Sequence, residues 1–203
     1  MRTMYPDFIW RVKTDEKVIY LTFDDGPVPE ITEFVLEQLA KYQAKATFFC
    51  IGDNIQKHPH VFEQVVNQGH TIGNHTFNHL KGWRTVNEVY LENFKKCDNI
   101  IIISQPFIPQ STIPKFRPPY GRIKKSQAAE ILKTHEIIMW DVLSGDYDQS
   151  IAKERVLKKS IQHSEVGSIV LFHDSIKASK NMMYTLPRFL EYLSEQGFTF
   201  KKL

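Results

Sequence analysis

Two pairs of side chains in this sequence have the types and spacing that bind metal ions. Asp24 and Asp25 are adjacent carboxylates within Phe-Asp-Asp-Gly-Pro. His75 and His79 stand four positions apart, which places both imidazoles on one face where the backbone turns helically. Each pair also has an ordinary interpretation, because Asp-Gly is typical of turns and an isolated pair of histidines is common in polar loops. Taken together, they favour a set of two imidazoles and one carboxylate that leaves positions open for water and substrate.

Three more polar residues fall in short motifs that could serve the same site. Arg117 opens Arg-Pro-Pro-Tyr-Gly, in which the prolines fix the backbone without donating hydrogen bonds. Asp146 lies within Ser-Gly-Asp-Tyr, and His173 ends Leu-Phe-His. In isolation, Arg117 is typical of a turn with a surface arginine, and His173 is typical of a satisfied histidine at the end of a strand.

The elements that must position these residues alternate between strand and helix. Apolar runs predict strands at 17–23, 44–52, 70–73, around 116, and at 137–142, 168–172 and 198–200. Apolar residues at helical spacing predict helices over 31–42, 61–67, about 86–102 and 186–193. Alternating βα units indicate a parallel sheet, open or closed into a barrel. Each polar residue above follows a predicted strand, and the carboxyl ends of parallel strands carry the site in such folds.

Two stretches are ambiguous. Ile100 to Ile103 either closes the preceding helix or forms a strand of its own. Residues 105–115 contain three prolines and resemble a linker. We interpret them as a loop inside one domain, because polar motifs of one apparent site lie on both sides. We therefore assign residues 1–16 to an N-terminal extension and 17–203 to one domain.

Length and composition exclude several classes of protein. At 203 residues, with 42% hydrophobic and 24% charged residues, the chain is typical of one globular domain. A formal charge of +3 without a long basic run argues against nucleic-acid binding. Cys50 and Cys97 are predicted to be buried thiols. No stretch matches a secretory signal or a membrane span, so we expect no membrane insertion and a cytoplasmic location for the printed chain, or export if a leader was removed.

In order and spacing, five motifs resemble those of the polysaccharide deacetylases with a NodB-homology domain, carbohydrate esterase family four. They are Thr-Phe-Asp-Asp-Gly-Pro at 22–27, His-Thr-Phe-Asn-His at 75–79, Arg-Pro-Pro-Tyr-Gly at 117–121, Ser-Gly-Asp-Tyr at 144–147 and Leu-Phe-His at 171–173. The resemblance covers roughly residues 17–203. It implies a catalytic domain of the α/β class, a single-domain distorted (β/α) barrel with about seven parallel strands.

The resemblance also implies a metal centre. Asp25, His75 and His79 would hold one divalent metal ion, usually Zn²⁺, with Co²⁺ or Ni²⁺ as alternatives. Asp24 would be the general base for a metal-activated water, and Arg117 would orient that carboxylate. The residue types agree, since amide hydrolysis needs an activated water and a polarised carbonyl, and a neighbouring cation favours an ionised aspartate.

The remaining motifs would supply a proton and a substrate pocket. His173 would be the general acid that protonates the departing amine, tuned by Asp146. A carboxylate favours the protonated form of an imidazole, whose ordinary pKa is about 6.5. The backbone N–H of Tyr120 would face the oxyanion, and Leu171 would line the pocket for the acetyl methyl group.

The fourth motif departs from the family pattern. Leu143 stands where the family commonly has an aspartate, and Tyr147 replaces a tryptophan. Tyr147 and Trp83 are candidates for stacking on a sugar ring, although ordinary packing also explains Trp83.

The sequence therefore predicts a monomeric hydrolase that removes N-acetyl groups from an amino sugar, such as N-acetylglucosamine in a glycan or oligosaccharide. Acetyl esters, imides and formamides are alternative substrates for the same site. A non-catalytic glycan-binding domain is a further alternative. A non-haem iron oxygenase uses the same ligand set, but such sites usually lie in antiparallel double-sheet barrels.

Overall fold

The computed structural model of the chain describes residues 5–105 and 113–203. The strands are β1 (Val18–Asp24), β2 (Thr47–Cys50), β3 (Thr71–Asn74), β4 (Lys115–Phe116), β5 (Glu136–Ile137), β6 (Val142–Leu143), β7 (Ile169–His173) and β8 (Thr199–Lys201). The helices are α1 (Ile31–Lys41), α2 (Gly52–Lys57), α3 (Pro59–Asn67), α4 (Asn87–Ser104), α5 (Lys125–Ile131), α6 (Lys153–His163) and α7 (Ser179–Glu195). Two 3₁₀ turns cover Gly82–Arg84 and Pro119–Gly121.

Seven strands form one continuous parallel sheet in the order β5-β4-β3-β2-β1-β7-β6. The eighth strand, β8, pairs in parallel with the start of β1. The sheet curls, so the α/β prediction of a single-domain distorted (β/α) barrel with about seven parallel strands is confirmed.

The curled sheet is completed by a stretch near the N-terminus. Ile9 forms a parallel bridge with Ile138, and Arg11 forms an antiparallel bridge with Ser168. The N–H of Val12 also donates to the carbonyl of Gly167 at 3.0 Å. We call residues 9–12 the closing segment. It connects the end of β5, at one edge of the sheet, with the start of β7, which is next to the other edge. The closing segment belongs to the predicted N-terminal extension.

The period of two in β1 decides which side chains reach the site. Ile19, Leu21 and Phe23 are buried in the layer between the sheet and helices such as α1 and α7. The alternate residues Thr22 and Asp24 therefore face the inside of the barrel, where both are buried. Asp24 is the last residue of β1, so this alternation places its side chain inside the barrel at the carboxyl end of the sheet.

The structure differs from the predicted elements in two respects. The run 137–142, predicted as one strand, contains the end of β5 and the start of β6. These two strands lie at opposite ends of the sheet order, because the chain crosses the barrel between them. Helices α2, α5 and α6 are additional; α6 buries only Val156 and Ser160, too few residues for a clear apolar stripe. Of the two alternatives for Ile100 to Ile103, the structure shows the helix, because these residues lie in α4. Residues 106–112 of the predicted loop lie outside the described residues.

Cys50 and Cys97 are both free thiols and both buried, as predicted. None of the helices in the described ranges has the length and apolar character needed to cross a membrane.

Candidate active site

Asp25, His75 and His79 meet at the carboxyl ends of β1 and β3. Each offers a ligand atom, and these atoms all lie within 4.8 Å of one another. Oδ1 of Asp25 is 3.2 Å from Nε2 of His79 and 3.6 Å from Nε2 of His75. The structure therefore brings together the three residues predicted to hold a metal ion.

Left-handed backbone angles occur at several positions in this site. Asp25 has φ 85°, His79 has φ 54° and Tyr120 has φ 61°, a region that non-glycine residues rarely adopt. The turn after β1 is held by the side chain of Asn54, whose Nδ2 donates to the Asp25 carbonyl at 2.7 Å. Such conformations persist only where the surroundings enforce them, and they concentrate at functional sites.

The donor atoms fit a divalent cation. Oδ1 of Asp25 is shielded from solvent and has no hydrogen-bond partner among the described residues. The ring Nδ1 of His75 lies 2.7 Å from the Arg117 carbonyl, so it carries the proton and leaves Nε2 unprotonated toward Asp25. Burial lowers the pKa of His75 to about 4, which keeps the ring neutral. Burial works against ionisation of Asp25, but the neighbouring histidines hold its pKa below the usual value.

Asp24 is paired with an arginine that is fully buried. Nη1 of Arg117 donates to Oδ1 of Asp24 at 2.8 Å and to Oγ1 of Thr22 at 2.8 Å. The other guanidinium nitrogens donate to the carbonyls of Ile138 at 3.0 Å and Met139 at 2.7 Å. With Oδ1 bonded to Arg117, the second oxygen, Oδ2, lies 3.7 Å from Nε2 of His75.

His173 is held by the fully buried carboxylate of Asp146. Oδ1 of Asp146 lies 2.7 Å from the ring Nδ1 of His173, and Oδ2 accepts from the His173 backbone N–H at 2.8 Å. Burial lowers the pKa of His173, but the carboxylates around it, Asp146 above all, raise it to about 9. The ring is therefore protonated at neutral pH, with Nε2 left to act as a donor.

Aromatic side chains form the rim of the site. The ring of Tyr120 lies 4.6 Å from that of His79 and 5.4 Å from that of Trp83. The ring of Tyr147 lies 5.2 Å from that of His173 on the other side. Leu171 is buried on β7, two positions before His173 and so on the same side of the strand. Tyr120 and Tyr147 thus lie against His79 and His173, Trp83 lies against Tyr120, and Leu171 lies on the His173 side of β7.

Asp174 supports the site but was not among the predicted site residues. Asp174, fully buried after His173, accepts from the Gly26 N–H at 3.0 Å and from the Thr32 hydroxyl at 2.7 Å. Burial raises the pKa of Asp174 to about 8. A Cβ on Gly26 would lie 1.9 Å from Oδ2 of Asp174, so the contact requires glycine in the turn after Asp25. In the sequence, the feature that could have identified Asp174 is its position directly after His173 of the Leu-Phe-His motif.

Helix α4 supports the loop that carries His75 and His79. Oδ1 of Asn93 accepts from the backbone N–H groups of Phe77 and Asn78, each at 2.9 Å, and its Nδ2 donates to Oδ1 of Asn78 at 2.9 Å. Asn74 adds a second link, accepting from the Thr76 N–H at 2.7 Å and donating to Oδ1 of Asp98 at 2.7 Å. No local signal marks these α4 residues in the sequence.

Comparison with known proteins agrees with the motifs. Residues 11–139 match the family model for polysaccharide deacetylase. A peptidoglycan-N-acetylglucosamine deacetylase from Bacillus cereus is 33% identical over 199 residues, covering 94% of this chain and 88% of that protein. The crystal structure of a peptidoglycan N-acetylglucosamine deacetylase in complex with 4-naphthalen-1-yl-N-oxidanyl-benzamide has a TM-score of 0.88 at 27% identity, covering 97% of this chain and 91% of that chain. The chain belongs to the polysaccharide deacetylase family.

The fold alone does not establish activity. A CE4 family pseudoenzyme from Bacillus anthracis has a TM-score of 0.85 at 22% identity, covering 98% of this chain and 68% of that chain. A likeness at that identity shows a shared fold only. Within this fold, activity depends on the residues of the site.

Proposed function

We propose that this protein is a metal-dependent hydrolase that removes N-acetyl groups from an amino sugar, such as N-acetylglucosamine in a glycan or oligosaccharide. The main support is the different surroundings of two adjacent aspartates. Asp25 faces two imidazoles, whereas Asp24 is paired with the buried Arg117. One carboxylate is thus suited to bind a cation and the other to accept a proton. We infer the substrate class from the activity named for similar proteins, which are peptidoglycan N-acetylglucosamine deacetylases.

Asp25, His75 and His79 would hold the metal ion. We infer Zn²⁺ from these nitrogen and carboxylate ligands, with Co²⁺ or Ni²⁺ as alternatives. When bound, such an ion polarises the amide carbonyl and lowers the pKa of water to about 7.

Two of the chain's own groups would move protons. Oδ2 of Asp24 is free of Arg117 and faces the metal ligands, so it can accept the proton of the attacking water. Arg117 holds Oδ1 and fixes the orientation of this base. His173 is protonated and can pass the proton on Nε2 to the departing nitrogen, while Asp146 holds the ring from Nδ1.

The rim would bind the substrate. The Tyr120 N–H would face the oxyanion, Leu171 would contact the acetyl methyl group, and Tyr147 and Trp83 would stack on sugar rings. We also infer one polysaccharide deacetylase catalytic domain over 17–203, with 1–16 as an extension, acting as a monomer.

The proposal is tested by acetate release from N-acetylglucosamine oligosaccharides, with metal content measured on the same samples. We expect about one divalent metal ion per chain, and loss of both metal and activity in His79→Ala. His163→Ala, an exposed histidine at the end of α6, is the matched control and should retain both. Asp24→Asn should retain metal but lose turnover. Acetate release by a metal-free His79→Ala protein would overturn the proposal. A parallel panel of acetyl esters, imides and formamides identifies the bond that is cleaved.

A further inference from the structure

One side of the aromatic rim is strongly basic. Residues 80–85 and 121–127 lie against each other, because Nζ of Lys124 donates to the Thr85 carbonyl at 2.8 Å and Nε2 of Gln127 donates to the Gly82 carbonyl at 3.0 Å. These two segments contain no aspartate or glutamate. Their basic side chains are Lys81, Arg84, Arg122, Lys124 and Lys125. We call this surface the basic rim.

Two of these cations are placed against the aromatic rings of the site. The guanidinium of Arg122 lies over the ring of Trp83, 4.7 Å from its centroid. Nζ of Lys81 lies 5.5 Å from the centroid of Tyr120, whose ring contacts the metal-ligand candidate His79. Such contacts orient an exposed cation along the face of a ring. Both charges are therefore held beside the position that the substrate would occupy.

The charge of these two side chains is not neutralised by the described part of the chain. Within residues 5–105 and 113–203, neither Lys81 nor Arg122 has a carboxylate oxygen within 4.0 Å. On the opposite side of the site, Nζ of Lys177 lies 5.6 Å from the centroid of the Tyr147 ring. Among the described residues, Lys81 and Arg122 therefore leave two unpaired positive charges beside Trp83 and Tyr120.

Resting on the proposed function, we propose that the basic rim selects N-acetylated glycans that carry carboxylate groups over neutral ones. A carboxylate on a sugar next to the reacting one can pair with Arg122 or Lys81 while that sugar packs on Trp83 or Tyr120. The formal charge of the whole chain is only +3, so the attraction comes from this local surface rather than from the field of the whole protein. A charged cleft of this kind raises the encounter rate of an oppositely charged substrate by about 10-fold or more, and salt screens it.

The test compares one oligosaccharide in two charge states. An oligomer of alternating N-acetylglucosamine and N-acetylmuramic acid carries lactyl carboxylates, and its methyl ester is a neutral substrate of the same shape. We expect kcat/KM for the acid form to exceed that for the ester by about 10-fold at low salt, and the ratio to approach one at about 0.5 M salt. In the double variant Lys81→Gln, Arg122→Gln, the ratio of kcat/KM for the acid form to that for the ester should approach one even at low salt. The charge-conserving variant Arg122→Lys should retain most of the preference for the acid form.

A matched control removes the same charge elsewhere. The double variant Lys158→Gln, Lys159→Gln changes two exposed lysines of α6 and should leave the ratio at its wild-type value. Equal kcat/KM values for the two substrates in the wild type, or a ratio that survives loss of Lys81 and Arg122, would overturn the proposal.

Binding separates this inference from the proposed function. Calorimetric titration of Asp24→Asn with both oligomers measures the preference for the acid form without turnover. Preferential binding of the acid form that disappears when Lys81 and Arg122 are replaced supports the role of the basic rim. A failure of every substrate to release acetate would refute the proposed function but not this binding preference. A single-stranded oligodeoxynucleotide of equal charge that competes as well as the acidic oligomer would show a general polyanion site and overturn the assignment to glycans.

Discussion

Replacing Asp146 with asparagine should remove a pH-dependent part of the stability of this protein. Burial lowers the pKa of His173, and the surrounding carboxylates, Asp146 first among them, raise it from an ordinary value of 6.5 to about 9. A difference of that size corresponds to about 3 kcal/mol of preference for the protonated ring in the folded chain. Asparagine has nearly the shape of aspartate, so the variant changes mainly the charge.

The sign of the effect follows from the raised pKa. Below about pH 6.5 the imidazole is protonated in both the folded and the unfolded chain, and the stabilisation is present in full. As the pH rises, the unfolded chain loses the proton first, so the stabilisation declines and is gone above about pH 9. The free-energy difference between wild type and Asp146→Asn should therefore be larger at acid than at alkaline pH.

Urea unfolding at several pH values measures this difference. The proteins are kept metal-free, because a bound cation would add its own charge near His173. We expect the gap in unfolding free energy to be about 3 kcal/mol larger near pH 6 than near pH 9.5. Asp15→Asn, a change at an exposed aspartate, should show no such trend. A gap between wild type and Asp146→Asn that stays constant over this range would refute the reasoning.

Three further substitutions test the supports around the site. Arg117→Met leaves the neighbouring buried aspartate without its cation and should lower the unfolding free energy by about 3–5 kcal/mol in denaturant titrations. Asn93→Leu removes the bonds to the loop between the histidine ligands and should weaken Zn²⁺ affinity about 10–100-fold by calorimetry, whereas Asn99→Leu, an exposed position on the same helix, should not. Gly26→Ala places a Cβ 1.9 Å from an oxygen of Asp174 and should cost about 1–3 kcal/mol, read as a lower melting temperature.

Each of these three results can also fail. Wild-type stability in Arg117→Met would mean that the buried aspartate finds another partner or is protonated. Equal Zn²⁺ affinities for the two asparagine variants would remove α4 from the metal centre. An unchanged melting temperature for Gly26→Ala would mean that the turn after β1 can relax away from Asp174.

Local patterns predict much of the sheet and most of the metal centre. Alternation along β1 and the abrupt Asp-Asp-Gly-Pro ending place a carboxylate at the carboxyl end of a buried strand. The spacing of four between His75 and His79 predicts neighbouring rings, and their centroids lie 5.0 Å apart. The predicted helical turn is wrong, however, because Thr76 and His79 have φ of 63° and 54° and the segment is a loop. These features depend on neighbours in the sequence, which is why the sequence alone indicates them.

Features that depend on distant residues were not predicted. The sequence predicts one strand over 137–142, but the pairing of Ile138 with Ile9 and the crossing of the barrel divide it. Asn93 looks like any polar residue of an amphipathic helix until the fold places it beside Phe77. The assignment of Asp24 and Asp25 to different partners likewise depends on Arg117, which is 93 positions away from Asp24.

The closing segment sets an order of events during synthesis. Arg11 pairs with Ser168, so 157 further residues must be made before that bridge can form. At about 5–20 residues per second, this synthesis takes about 8–30 s. The closing segment is thus made well before its partner in this bridge, and the barrel cannot close on the Ser168 side until that residue has been made.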